Sequence, residues 1–313
     1  MSIQYTTHPV SLWLSALLFI LIHTTSALAE SQACQYASRL VEQSYHVEKP
    51  DAKRYLNKAL RECPTHAEAH KNLAVLMEKQ GDYSQAIAHY KQALQTIQNF
   101  PAAWYGLGEI SYKQGQFPLS LEAHLHACQK EKSKKRVLEL LENKRYAITE
   151  KGQILNKESL LLLYDKQQRE RINRMIADCD FSRRGDGDEV VKGKGIFRNL
   201  TFDTGKATLT KFAKQQIKNL AAAFNQTMPS LIKLHGHTDS QGFRGIYDPE
   251  ENKRLNLKLS QQRAKAVKRE LVAQGVYEKR IQIRGYGQSR PLVKENSVKA
   301  WAKNRRVEIE SVD

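Results

Sequence analysis

The chain has 313 residues, enough for two cores of ordinary domain size, and carries 50 Lys and Arg against 33 Asp and Glu, a formal net charge of +17. A surface this basic is drawn to acidic polymers. The sequence has no Gly-x-Ser-x-Gly elbow, Cys-x-x-Cys pair, H-E-x-x-H helix or phosphate-cradling glycine loop, so hydrolase, redox, zinc-protease and nucleotide chemistry lack their usual residues.

The first 29 residues hold no Lys, Arg, Asp or Glu. Leu12 to Ile22 is an apolar run of 11 residues, followed by Thr24, Thr25, Ser26 and then Ala27-Leu28-Ala29. A short apolar stretch with a small-x-small exit predicts a cleaved secretory signal over 1–29, with Glu30 opening the mature chain. An uncleaved anchor is the alternative, although the run is short of the roughly 20 residues that a span requires. Ser31-Gln32-Ala33 lacks the leading Leu of an acylation site at Cys34, so no lipid anchor is expected. Export argues against nucleic acid as a partner and leaves cell wall, lipid phosphate and lipopolysaccharide. The four cysteines, Cys34, Cys63, Cys128 and Cys179, all follow the signal; an even count in an oxidising compartment predicts two disulfides, with buried thiols as the alternative.

The segment 33–132 repeats. His70, Leu73, Ala74, Gly81, Tyr83, Ala86, Ala93 and Leu94 have counterparts 34 residues later in Trp104, Leu107, Gly108, Gly115, Phe117, Ser120, Ala127 and Cys128. A fainter copy upstream places Ala52, Leu56, Ala59 and Leu60 at the same offset, closed by Pro64. Small residues where two helices touch, with Gly at the bend, resemble the tetratricopeptide repeat, and three repeats suffice to bury a continuous core. Ala74 and Gly108 permit close approach, and Gly81 and Gly115 end the first helix of each pair. Cys34 falls near the start of the first helix and Cys63 at the end of its antiparallel partner, so these two are paired; Cys128 with Cys179 follows by elimination. The resemblance implies a groove that takes a protein or peptide, with Lys71, Asn72 and Tyr105 as candidate lining residues.

Residues 133–181 are helical by pattern: Val137, Leu138, Leu140 and Leu141 suggest a cap, and Leu160 to Ile176 a longer connecting helix. That helix is either docked on the repeats or a spacer arm. The basic run Lys130 to Arg136 suits a solvated helix face. Residues 182–194, rich in Gly, Arg, Asp and Lys, predict a linker.

From 195 to 313 the pattern alternates. Ile196, Leu200 and Phe202 predict a first strand on even positions, and Thr208 to Phe224 an amphipathic helix. Leu231 to His237 predicts a second strand, with Leu231, Lys233 and His235 on one side and His235 taken as core-facing. Asp248-Pro249-Glu250-Glu251 is a helix start, with an Asp cap, Pro in the first turn and acids behind it; the helix runs to about Gln274. Arg280 to Gly285 and Arg305 to Val312 supply two more strands. The expected fold class is therefore a helical array followed by an α/β sandwich of order βαβαββ with a mixed sheet.

Asp239 lies just past the end of the second strand, where alternating α/β units place ligands. Arg263, flanked at i±4 by Leu259 and Val267, borders the core stripe of the following helix and needs an anionic partner there. Asp239 itself is one candidate, making a structural bridge. The other is a bound carboxylate, which guanidinium grips through two parallel hydrogen bonds while Asp239 takes an ammonium.

The order Gly236-His237-Thr238-Asp239, Asn256-x-x-Leu259-Ser260-x-x-Arg263-Ala264, Gly285-Tyr286-Gly287 and Asn304-Arg305-Arg306 resembles the OmpA-like domain shared by outer-membrane proteins, Pal lipoproteins and MotB stators. The resemblance implies non-covalent binding of peptidoglycan through the meso-diaminopimelate of its peptide stem. Its acid and guanidinium map onto Asp239 and Arg263, with Thr238 and Asn256 in support and Asp203 and Arg306 as further matches. One departure stands beside the site: 13 residues separate Gly242 from Asn256, which adds a loop over 243–248.

His235, His237 and Asp239 share one side of a strand, but with no fourth ligand no metal is expected. Nor is a cofactor or a catalytic role. The expectation is an exported Gram-negative envelope protein, periplasmic or associated with the outer membrane, that tethers a repeat module to the wall. The alternative is a repeat scaffold for secretion or envelope assembly in which wall binding is secondary.

Overall fold

The computed structural model describes residues 32–150, 152–179, 190–202 and 207–312. The predicted signal at 1–29, positions 182–189 of the predicted linker, and Asp203 lie outside the described residues. The chain divides between Gly106 and Leu107 into two compact units.

The first unit is helical: α1 (32–44), α2 (Lys49–Glu62), α3 (Ala67–Lys79), α4 (Tyr83–Thr96) and the opening of α5 (Pro101–Lys113). Local chemistry sets its boundaries. Gly81, at φ +81°, turns the chain after α3, and the Asp82 side chain caps α4 by accepting from the Gln85 amide. Leu40, Val41, Leu56 and Leu73 form the core with Ala37, Ala59 and Ala69. Tyr90 lies so close to Gly106 that a Cβ there would come within 2.1 Å of its ring, so that position accepts only glycine. Cys34 and Cys63 are disulfide-bonded.

The second unit holds the rest of α5, then α6 (Phe117–His126), α7 (Glu131–Leu141), β1 (Ile148–Thr149), α8 (Lys157–Tyr164) and α9 (Lys166–Asp178). It continues with β2 (Lys194–Phe197), α10 (Lys211–Thr227), β3 (Leu231–Gly236), α11 (Pro249–Ala273), β4 (Ile281–Gly285), α12 (Val298–Asn304) and β5 (Val307–Val312). Sheet order is β1-β2-β5-β3-β4. β5 runs antiparallel to β2 and β3, while the pairs β1–β2 and β3–β4 are parallel. The mixed sheet is thus the expected one, with two additions: the edge strand β1, and α12 between the last two strands. Phe197, Ile232, Leu234 and Ile309 join one continuous core with Leu160, Leu163 and Tyr164 of α8 and Leu220 and Phe224 of α10. Cys128 and Cys179 close the second disulfide.

Four expectations change. The predicted first strand stops at Phe197, because Asn199 turns inward: its amide donates to Gln153 O and Gln216 Oε1 and accepts from Thr149 Oγ1. Phe202 keeps only an isolated bridge to Leu209. The strand's core face is consequently Gly195 and Phe197 rather than the even positions. In β3 the buried residues are Ile232, Leu234 and Gly236, which puts His235 on the face away from the helices.

The predicted connecting helix breaks at Asp165, which ends α8 and caps α9 by accepting from the Gln168 amide. It is no spacer: Gln116 Oε1 accepts from the Asn156 amide and Ser159 Oγ, and Tyr164 OH donates to Ile309 O. The end of the predicted linker is built in as well. Val191 is buried, its amide donates to Asn173 Oδ1, and the Ser311 amide donates to Gly193 O.

Candidate functional site

Close backbone packing builds the site. A Cβ on Gly236, the last residue of β3, would lie 2.2 Å from Ser260 O on α11, and one on Gly285 would lie 2.5 Å from Ser260 Oγ. These two glycines let α11 approach the ends of β3 and β4. Ser260 Oγ then accepts from the Gly287 amide at 2.9 Å and donates to Leu257 O at 2.7 Å. Past β3, the His237 amide donates to Arg306 O and the Thr238 amide to Gly287 O. Asn256, buried on α11, spans both turns: its Nδ2 donates to Gln241 O at 3.3 Å and to Gln288 Oε1 at 3.1 Å. It lies behind the site and holds it in shape.

A cleft of about 1050 Å³ opens in front of these turns. Asp239, Arg263, Arg306, His237 and Gln241 line it, with Phe202, Thr201 and Thr210 on one wall and Lys299, Lys303 and Arg305 on another. Arg198 and Glu150 also line it. Asp239 is buried; its Oδ1 accepts from the Gln241 amide at 2.9 Å, and its Oδ2 from Arg305 Nη1 at 2.5 Å. Arg263 stacks over the Phe202 ring with Cζ 5.1 Å from its centroid. Its Nε is buried and has no hydrogen-bond partner among the described residues. Burial pulls the Arg263 guanidinium below its ordinary pKa; Asp239 opposes this and Arg305 adds to it. The Arg263 side chain therefore stands as a desolvated cation with an unused donor.

Arg306, by contrast, is used internally. Its Nε and Nη2 donate to Glu308 Oε1 at 2.8 and 2.6 Å, and Nη2 also reaches Arg290 O. Burial alone would raise the Glu308 pKa, but Lys194 and Arg306 outweigh it and bring it down to about 2. His237 stacks on Tyr286, and neither of its ring nitrogens has a hydrogen-bond partner among the described residues. Burial, then Arg306, lowers its pKa to about 4, so the ring is neutral at pH 7.

Of the predicted site residues, the cleft brings together Asp239, Arg263 and Arg306. Thr238 is buried behind it with Oγ1 unpartnered among the described residues. Sequence reasoning missed Arg305, Gln241, Arg198, Glu150 and the two lysines of α12. Arg305 stood in the same motif as Arg306, and only the register of β5 decides which of the two reaches Asp239. Arg198 and Glu150 belong to no motif. In the first unit, Lys71 Nζ donates to Asn72 Oδ1 at 2.6 Å and Asn72 Nδ2 to Tyr45 OH at 2.9 Å, so both are already engaged locally.

Residues 201–305 match the OmpA family, and residues 55–88 and 79–115 match tetratricopeptide repeats. The chain is 34% identical over 131 residues to the probable lipoprotein YiaD of Escherichia coli K12, covering 40% of this chain and 56% of that protein. It is 40% identical over 78 residues to the peptidoglycan-associated lipoprotein of Pseudomonas aeruginosa, covering 25% of this chain and 41% of that one. The chain thus spans 41% to 56% of the length of these relatives. The crystal structure of the periplasmic domain of Helicobacter pylori MotB overlaps 38% of this chain and 72% of its own at 22% identity, with a TM-score of 0.33.

Proposed function

We propose that the OmpA-type part of the chain binds peptidoglycan non-covalently, through the zwitterionic head of diaminopimelate in the peptide stem, and thereby tethers the tetratricopeptide repeats to the wall. The observation that carries this reading is Arg263: a stacked, desolvated guanidinium at a cleft, with an Nε–H that has no partner among the described residues. A buried unpaired donor is costly, and a carboxylate is the partner that repays it best. Arg263 does not obtain that partner from Asp239, whose Oδ2 takes the Arg305 hydrogen bond. Asp239, beside it in the cleft, supplies the anionic end for an ammonium. The relative from Pseudomonas aeruginosa is named for association with peptidoglycan, which supports the same ligand class. Among the described residues of the cleft none is arranged as a nucleophile with its base, and the reading is of binding without turnover. The place of action is the Gram-negative envelope, periplasmic or at the outer membrane, and the repeats present a surface to a protein or peptide partner.

Co-sedimentation of the purified protein with diaminopimelate-type peptidoglycan tests this. Wild type should pellet with the wall, while Asp239→Ala and Arg263→Ala remain in the supernatant with unchanged circular dichroism. If all three pellet equally, the two residues are structural and the wall-binding reading falls.

A further inference from the structure

The cleft contains a second guanidinium that, like Arg263, has a buried Nε without a hydrogen-bond partner among the described residues. Arg198 follows directly after β2, and its side chain is 11% exposed. Nη1 donates to Glu150 Oε1 at 2.5 Å, but Nε is buried without a hydrogen-bond partner among the described residues. Glu150 follows β1, and its side chain is 55% exposed. Both residues line the cleft, with the carboxylate more exposed to water than the guanidinium. Lys299 and Lys303, one turn apart on α12, line the same cleft.

Charge and size point the same way. Six cations and two acids line the cleft. Arg305 is neutralised by Asp239 and Arg306 by Glu308. One amino-acid head brings a single carboxylate, which Arg263 takes; Arg198 then has only the half-exposed Glu150, and the two lysines have no ion pair among the described residues. The volume of about 1050 Å³ also exceeds what one amino acid fills, since clefts of about 300–1,000 Å³ hold ligands of drug size. Burial lowers the pKa of Arg306 against the opposing pull of Glu308, and Arg198 adds to the lowering, which places the two guanidinium groups within electrostatic reach of one another.

We infer that Arg198, supported by Lys299 and Lys303, forms a second carboxylate subsite, so that the cleft selects a peptide carrying two carboxylates, with Glu150 occupying the subsite at rest. The inference rests on the wall-binding reading and adds to it the class of peptide selected. In a stem peptide the second carboxylate has two sources. One is the α-carboxylate left free by a γ-linked glutamate; the other is the C-terminal carboxylate.

The test is isothermal titration of the full chain with the tetrapeptide L-Ala-γ-D-Glu-diaminopimelate-D-Ala. Two further versions carry an amide in place of one carboxylate, at the glutamate or at the C-terminus. Wild type should lose about tenfold in affinity for one of the amidated versions, which identifies the source. In Arg198→Gln the affinity ratio between that version and the parent peptide should fall to about 1. Glu150→Gln, which weakens the resting partner and leaves the cleft cations in place, should raise affinity for the parent peptide severalfold. Equal binding of all three peptides by wild type overturns the subsite, as does an undiminished ratio in Arg198→Gln. Binding of the parent peptide that is unaffected by Asp239→Asn counts against the wall-binding reading instead.

Discussion

Arg305 Nη1 lies 2.5 Å from Asp239 Oδ2, so the acid at the centre of the cleft takes its side-chain hydrogen bond from the loop before β5 and not from Arg263 on α11. The division matters because Arg263 is left with a donor to spend on a ligand. A carboxylate already oriented by Arg305 and by the Gln241 amide also needs little reorganisation to receive an ammonium.

Asp239→Asn separates charge from shape. The Asn Oδ1 still accepts from the Gln241 amide, but the ion pair with Arg305 is lost, so the melting temperature should fall while the fold is kept. The negative charge is gone, and wall affinity should fall at least about tenfold, or about 1.4 kcal/mol. Titration with solubilised wall fragments reads this, and unchanged affinity would remove Asp239 from the ligand contact.

The pH dependence of stability should carry the signature of His237. Its folded pKa of about 4 lies below the ordinary His value of 6.5, so the unfolded chain binds the extra proton between these limits. Stability therefore rises with pH across that window and is lost as the pH falls from 6.5 towards 4. The full effect is about 3 kcal/mol, and the lowered pKa values of His235 and His126 add in the same direction. Glu308, held at about 2, acts only below pH 4.5. Urea midpoints of wild type and His237→Asn at pH 7 and pH 4.5 check this: the variant should show the flatter profile.

Gly236→Ala should damage the site through its frame. The new methyl group would meet Ser260 O at 2.2 Å, a backbone atom that cannot swing aside. Separating β3 from α11 should cost about 1–3 kcal/mol or more and lower wall affinity together with the melting temperature. Differential scanning calorimetry alongside sedimentation would show whether the two losses move in step.

The disulfide between Cys34 and Cys63 closes a loop of sequence separation 29 and belongs to the first unit. Replacing both cysteines with Ser should destabilise that unit by about 3–4 kcal/mol on the chain-entropy model. Sedimentation with the wall should be unaffected. Limited proteolysis would locate the loss, with new cleavage confined to residues before Gly106.

The sequence was most legible where the determining chemistry is local. Gly81 marks the end of one helix and Asp248 before Pro249 the start of another, each within a few residues, and both boundaries form. The mixed sheet was legible through the alternation of strands and helices, and the placing of Asp239 near Arg263 through its position past a strand end and through motif order. Harder to read was whatever depends on distant partners. β1 is two residues long and exists because Ile148 pairs with Ile196, far along the chain, so no local pattern announces it. The even spacing of Ile196, Leu200 and Phe202 suggested one strand, but the buried amide of Asn199 ends it. Arg305 and Arg306 are adjacent and chemically identical, and only three-dimensional register gives one to Asp239 and the other to Glu308.

The polar stitching around Asn199 has a mechanical consequence. Thr149, Gln153 and Leu155, between α7 and α8, are fastened to Asn199 and Gln216 by buried and part-buried hydrogen bonds, and Gln116, just before α6, is fastened to the same stretch at Ile154 and Asn156. A pull applied at the cleft therefore reaches α6 without any slack to take up first. The second unit works as a bracket rather than a leash, fixing the distance between whatever the cleft grips and the helices next to it.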